Sequence, residues 1–370
     1  MSIPFIDLDA LHAPIRDELE AAVNEVIASG QFIRGRFVEQ FEQEIAEYLG
    51  CKHAIGVSSG SDALLASLMA LEIGEGDEVI TTPFTFCATA EAILRVGATP
   101  VFVDIDPRTF NIDPALIEDA VTDATRAILP VHLFGQCARM DRIMDIAERH
   151  DLFVVEDAAQ AIGARFQDQM AGTIGHVGCF SFFPTKNLGA LGDGGLITTD
   201  NDALADELRL VCNHGNRPKY NQIRLGGNFR LDAIQAAALS VKLPYLDDWN
   251  EQRRENAARY DELLADLDRL TTPVEADRCH HVYNQYTIRV DDAGRAANTL
   301  ADAGAGCARY YQTPLHEQDT YATSARHTAL PQAEDAARSA LSLPVATLAR
   351  AHAYAVAEVI RQLPGGHLPT

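Results

Sequence analysis

Apolar positions in the first two thirds of the chain fall into short runs that alternate with longer stretches of mixed polarity. The runs His53–Val57, Glu78–Ile80, Thr99–Val103, Ala127–Val131, Phe153–Glu156, Gly178–Phe182 and Gly195–Thr198 are bounded by Gly, Pro or Asp. Strands buried on both faces read this way. Between them, Asp62–Leu71, Ala88–Val96, Pro114–Ala120, Arg139–His150 and Asp202–Cys212 carry apolar residues at helical spacing. Two more helical patterns, Ile15–Ser29 and Phe37–Leu49, precede the first strand. The alternation predicts an α/β architecture: a mostly parallel, seven-stranded sheet between two layers of helices.

The pattern changes after Asn213. A polar, Gly-rich loop runs to Phe229, and a long helical stretch, Leu231–Leu267, follows with an interruption near Pro244. Val282–Val290 alternates as a strand, Ala293–Ala303 is helical, Cys307–Tyr311 reads as another strand, and Ala346–Gln362 is an amphipathic helix. The expectation is a large α/β domain over residues 1–229 and a smaller α+β domain over 230–370.

Composition narrows the function. The formal net charge of −23 disfavours nucleic acid and anionic membranes as partners, and no apolar run is long enough to span a bilayer. Seven scattered cysteines without a Cys-x-x-Cys predict reduced thiols, no metal centre and a cytoplasmic setting. Only four of the 30 basic residues are lysines: Lys52, Lys186, Lys219 and Lys242.

Four segments suggest chemistry. Ser58-Ser59-Gly60-Ser61 lies between a strand and a helix, where small residues let backbone N–H groups meet an anion. It equally suits simple capping. Pro83-Phe84-Thr85-Phe86 follows a strand and could stack on a flat ring or merely pack. Asp157 sits just past the carboxyl end of the strand Phe153–Glu156, where ligands of open sheets gather, or it caps the next turn. Lys186 follows the aromatic run Phe180-Ser181-Phe182-Phe183. Half-desolvated there, its amine would have a lowered pKa and could form a Schiff base. Lys52, Lys219 and Lys242 occupy positions typical of surface lysines. In this order the parts match the needs of pyridoxal phosphate: an anion cradle, a stacking ring, an acid for the pyridine nitrogen and an amine.

On these segments, together with Gly76–Ile80, Val103–Pro107, Gly192–Gly195, Asn228–Gln235 and Tyr311–His316, the whole chain resembles the DegT/DnrJ/EryC1/StrS sugar aminotransferases, of the fold type I of pyridoxal-phosphate-dependent transferases. The resemblance implies that Lys186 carries the cofactor and shuttles the proton. Asp157 would pair with the ring nitrogen, Gln160 contact the ring hydroxyl and Phe86 stack. Gly60, Ser61 and Ser181 would hold the phosphate. Asn228 would reach the phosphate in a neighbouring subunit, so the resemblance also implies a homodimer with shared sites. Arg34, Lys219, Arg230, His281, Tyr310, Tyr311 and His316 stand where the sugar nucleotide should bind. The loop Asn213–Leu231 holds His214, Arg217, Lys219, Arg224 and Arg230 and no acid, a local positive patch suited to a pyrophosphate.

The implied reaction moves an amino group from glutamate, released as 2-oxoglutarate, to a UDP- or dTDP-linked keto-sugar. The overall look is closest to aminotransferases acting on UDP-linked 2-acetamido-3-keto uronic acids; 4-keto sugars and inososes are the alternatives. Lys186 argues against the related dehydratases, which have His there. The absence of a basic helical extension argues against a DNA-binding regulator, and the absence of Gly-x-Gly-x-x-Gly against a nicotinamide dehydrogenase.

Overall fold

The computed structural model describes residues 2–218 and 220–363. An eight-stranded sheet runs in the order 53–57, 195–199, 177–181, 153–157, 125–128, 78–81, 99–102, 326–327. The seven expected strands are all present. Arg326–His327 adds a two-residue parallel edge on Thr99–Phe102. Pairing is parallel from 177–181 outward to that edge, whereas 195–199 is antiparallel to both of its neighbours.

Each face carries its own core. On one, the helix Arg36–Leu49 buries Phe37, Phe41, Ile45 and Leu49, a stripe at helical spacing, together with Met140, Ile143 and Ala236. Gly50, left-handed at φ 72°, ends that helix by donating to Ala46 O at 2.9 Å. On the other face, the helix Gly60–Ala70 is apolar nearly all round because it is covered by Ala88–Arg95 and Asp202–Val211.

A second, antiparallel sheet joins Leu270–Thr271, Tyr286–Val290 and Ala340–Leu343. It packs with helices Leu246–Leu264, Ala293–Asp302 and Arg350–Arg361 around Tyr260, Tyr286, Leu300 and Ile360. Among the described residues, no helix is long and apolar enough to cross a membrane.

Four expected elements differ. Pro114–Ala120 is two short 3-10 turns, Pro114–Leu116 and Glu118–Ala120, rather than an α-helix. Cys307–Tyr311 is not a strand; only Ala308 pairs, with Ser342. The strand expected from Val282 begins at Tyr286, because Val282 and Gln285 donate instead to Gly135 O and Phe134 O. The last helix begins at Arg350; the side chain of Asn256 holds the Val345 carbonyl at 3.0 Å.

Candidate active site

Register brings the candidate residues to one edge of the sheet. Val57, Gly195 and Ser181 lie opposite one another across three strands, and Asp157 pairs with Cys179 on the next. The helix Gly60–Ala70 starts directly at this edge. Ser59 caps it by accepting from Asp62 N–H at 3.1 Å, and the first-turn N–H groups of Gly60 and Ser61 lack intrahelical acceptors. Glycine is required at 60: a Cβ there would sit 2.8 Å from Ser181 Cβ. Gly195 is held as tightly, with a Cβ position 2.4 Å from the Ser59 carbonyl carbon. The backbone around Gly60 and the Ser181 hydroxyl therefore close on one small space.

Asp157 and Glu156 are consecutive acids on opposite sheet faces. Glu156 is completely buried and saturated. It accepts from Gly172, Ile174 and Gly175 N–H at 2.9, 2.7 and 2.6 Å, and from His132 Nε2 at 2.7 Å. His132 Nδ1 accepts from Ala138 N–H, so the proton sits on Nε2. Glu156 thus anchors the strand end. Asp157 is 5% exposed and far less saturated. Thr89 Oγ1 donates to Oδ2 at 2.8 Å, and Ala159 N–H reaches Oδ1 at 3.2 Å. Burial raises its carboxyl pKa, and the Thr89 and Ala159 donors and the charge of Lys186 only partly offset this. A buried acid with spare acceptor positions suits a cationic N–H on a bound ligand.

Lys186 lies in the loop joining Val177–Ser181 to Gly195–Thr199. It is half-buried, and its amine has no hydrogen bond or ion pair among the described residues. Burial pushes its pKa down to about 8, with Asp157 pulling the other way. Below about pH 8 the amine is mostly protonated and inert; above it, neutral and nucleophilic. The rate at which an aldehyde attaches to the cofactor-free protein should therefore rise with pH to a midpoint near 8, where a free lysine would need about 10.4. Stopped-flow absorbance across pH 6.5–10 with pyridoxal phosphate measures this, and a midpoint above about 10 would contradict it.

Phe86 is 57% exposed, a ring offered to the cleft, with Tyr311 at 6.5 Å between centroids. Gln160 lies beside Tyr311, its Oε1 accepting from Phe134 N–H at 2.7 Å and its Nε2 donating to the Tyr311 hydroxyl at 3.4 Å. The same edge therefore gathers Gly60, Ser61, Phe86, Asp157, Gln160, Ser181, Lys186 and Tyr311. Tyr310 sits half-buried between Tyr311 and Phe5.

Other candidates lie elsewhere. His281 is interior: it stacks on Tyr283 at 3.9 Å, accepts from Tyr283 N–H, and is pushed down to about 3 by burial and by Arg254. It packs within the chain interior, with Nδ1 taken by the Tyr283 N–H. His316 is also buried, with Nε2 3.4 Å from Glu334 and Nδ1 without a partner. Arg34 and Arg230 share a separate cleft of about 370 Å³ with Arg209, Glu39 and Glu42. Asn228 is exposed and pairs with Asn213. Arg224 is committed to Glu207 and to Met69 O, so it does not add free charge to the 213–231 loop. Lys219 lies outside the described residues.

Lys242 corrects the expectation of a surface lysine: it is 1% exposed. Its pKa is also lowered to about 8, purely by burial. Two of its donors are committed, to Gly189 O at 2.7 Å and His12 Nε2 at 2.9 Å. Thr89 was not singled out from the sequence; a threonine inside an ordinary helix gives no signal of its partner.

The parts fit pyridoxal phosphate. The cradle closed by Gly60 suits a phosphate, the open Phe86 face a planar ring, under-donated Asp157 a ring N–H, and the unpaired Lys186 amine an aldehyde.

Residues 14–361 match the model of the DegT/DnrJ/EryC1/StrS aminotransferase family. The chain is 50% identical over 348 residues to the "Pleiotropic regulatory protein" of Geobacillus stearothermophilus, covering 93% of this chain and 94% of that protein. It is 45% identical to the UDP-N-acetyl-3-dehydro-α-D-glucosamine 3-aminotransferase of Acidithiobacillus ferrooxidans, covering 98% of both. The solved structure of DesV from S. venezuelae superposes with a TM-score of 0.95 at 42% identity, covering 98% of both chains.

Proposed function

Since the chain belongs to the DegT/DnrJ/EryC1/StrS aminotransferase family and is a pyridoxal-phosphate-dependent sugar-nucleotide aminotransferase, we propose that it moves the amino group of glutamate onto the 3-keto carbon of a UDP- or dTDP-linked sugar. The observation that carries this reading is the meeting of Lys186 and Asp157 at one sheet edge beside the Gly60–Ser181 cradle. The named activity of the Acidithiobacillus relative supports the 3-position and the UDP group.

In this reading Gly60, Ser61 and Ser181 would hold the phosphate, Phe86 would stack on the ring, and Gln160 would contact its hydroxyl. Bound pyridoxal phosphate supplies an electron sink that neither substrate possesses. Asp157 keeps a proton on the ring nitrogen. The Lys186 amine would hold the cofactor's aldehyde, and its Nζ would be the group that takes and returns the proton at the reacting carbon. Its depressed pKa suits that work near neutral pH.

Asn228 reaches the phosphate of a second copy of the chain, and the site is completed in a homodimer. The exposure of Ile223 (54%) and Leu225 (81%) on the same loop supports a partner covering it. Arg34 and Arg230, in their own cleft, are offered to the nucleotide pyrophosphate from that loop's side.

The test is a panel. Glutamate and other amino donors are offered first, and loss of the cofactor's visible band is followed. The amino form is then presented with 3-keto and 4-keto nucleotide sugars and an inosose. Release of 2-oxoglutarate and amination of the 3-keto compound are expected. Preference for a 4-keto sugar or inosose would move the assignment within the family, and a band that ignores every donor would remove the transaminase reading.

A further inference from the structure

The loop carrying Lys186 is positioned from outside itself. It closes where Phe182 N–H donates to Gly194 O at 2.8 Å and Ala190 N–H to Phe182 O at 2.7 Å. Four buried or half-buried side chains then grip it. Asn187, next to Lys186, donates to Asn250 Oδ1 at 2.6 Å and accepts from Asn284 Nδ2 at 2.6 Å. The Gly189 carbonyl accepts from Lys242 at 2.7 Å, and Leu191 N–H donates to Gln235 Oε1 at 2.8 Å. Gln235 and Lys242 stand two turns apart on the helix Ala233–Lys242, so one helix face reaches two successive points of the loop.

Lys242 is the unusual member. Among the described residues no carboxylate pairs with it; its ammonium meets a carbonyl and a histidine that belongs to the short N-terminal helix Leu8–His12. Burying such a group is costly, and an apolar chain of similar length would fill the space without that cost. What the ammonium provides is a hold on Gly189. The backbone there has no slack: a Cβ at Gly189 would lie 2.3 Å from Pro184 O. The turn Pro184–Gly189, which contains Lys186, is folded tightly on itself.

We propose that Lys242, with Gln235 on the same helix face and His12 behind it, is a positioning residue that fixes the Lys186 loop over the sheet edge. The N-terminal segment thereby sets the placement of the cofactor-bearing lysine. The proposal rests on Lys186 having that role, and its structural half stands apart from it.

The test uses the full-length protein with and without pyridoxal phosphate. In Lys242→Met, amide hydrogen exchange at residues 187–192 should quicken about 10-fold or more in the cofactor-free protein, a lost charged hydrogen bond being of that size, while the rest of the chain is unchanged. In the loaded protein the cofactor dissociation constant should rise about 10-fold, with Lys186 still the residue labelled after borohydride reduction. Lys242→Arg, which keeps a donor, should recover part of the affinity. His12→Phe and Gln235→Leu should shift the same amides less, and carry the test if Lys242→Met does not fold. Unchanged exchange at 187–192, or acceleration spread over the whole chain, would overturn the proposal. A wild-type protein that takes up no cofactor would instead remove the functional reading and leave the exchange result to be judged by itself.

Discussion

In Lys186→Ala the visible absorbance that pyridoxal phosphate develops with the wild-type protein is expected to vanish, and amine transfer to fall by on the order of 10⁴-fold. The size follows from the loss of both tasks assigned to one amine: attachment and proton transfer. No other described lysine can substitute. Lys52 is exposed and paired with Asp202 at 2.6 Å. Lys242 has the same depressed pKa of about 8, yet its amine is committed to Gly189 and His12 on the far side of the loop. Lowered pKa alone would not separate the two buried lysines; free donors and access to the cleft do. Because Lys186 makes no hydrogen bond or ion pair among the described residues, the alanine variant should melt at or above the wild-type temperature. Absorbance, turnover and thermal melting on the same preparation check all three. A retained band would place attachment on another lysine.

Much of this arrangement was legible in the sequence because strand ends announce themselves. An apolar run that stops at Asp157, and a lysine set among Phe180, Phe182 and Phe183, are local patterns. So is the Ser-Ser-Gly-Ser turn between a strand and an apolar helix. The strands of the large sheet could be read for the same reason: buried on both faces, they are continuous apolar runs. What stayed hidden depends on partners distant in sequence. Thr89 meets Asp157 across 68 residues. Lys242 follows a helical apolar pattern that reads the same whether its face meets solvent or the Gly189 loop. The resemblance offered His281 as a sugar contact, and nothing local in the sequence announces its burial and stacking on Tyr283. Arg224 looked like one charge of a positive patch until the fold set Glu207 beside it. Cys307–Tyr311 has the apolar content of a strand, yet among the described residues only Ala308 pairs, with Ser342 of the edge strand Ala340–Leu343.

The second large effect is expected at the acid. Asp157→Asn should lower kcat by about 10²- to 10³-fold, the range for removing one preorganised electrostatic contact to a developing charge. Asparagine matches the shape: its one oxygen can accept from Ala159 N–H while its NH2 donates to the Thr89 hydroxyl, which can turn to accept, and the strand end, anchored separately by Glu156, should hold. Only the negative charge is lost, and with it the means of keeping the ring nitrogen protonated. Cofactor affinity should fall far less than kcat, since the Gly60 cradle and the Lys186 attachment are untouched. The pH dependence separates this from a packing defect. Burial raises the Asp157 carboxyl above its ordinary range, so in the cofactor-free wild type it takes up a proton at a higher pH than an exposed aspartate does. Cofactor uptake by the wild type should therefore weaken as pH falls through that range, while the Asn variant, with nothing to titrate there, should stay flat. Binding isotherms between pH 4 and 7, set beside kcat at neutral pH, decide the matter. Equal turnover in the two proteins, or parallel pH profiles, would show that the 157 carboxylate does not face the ring nitrogen.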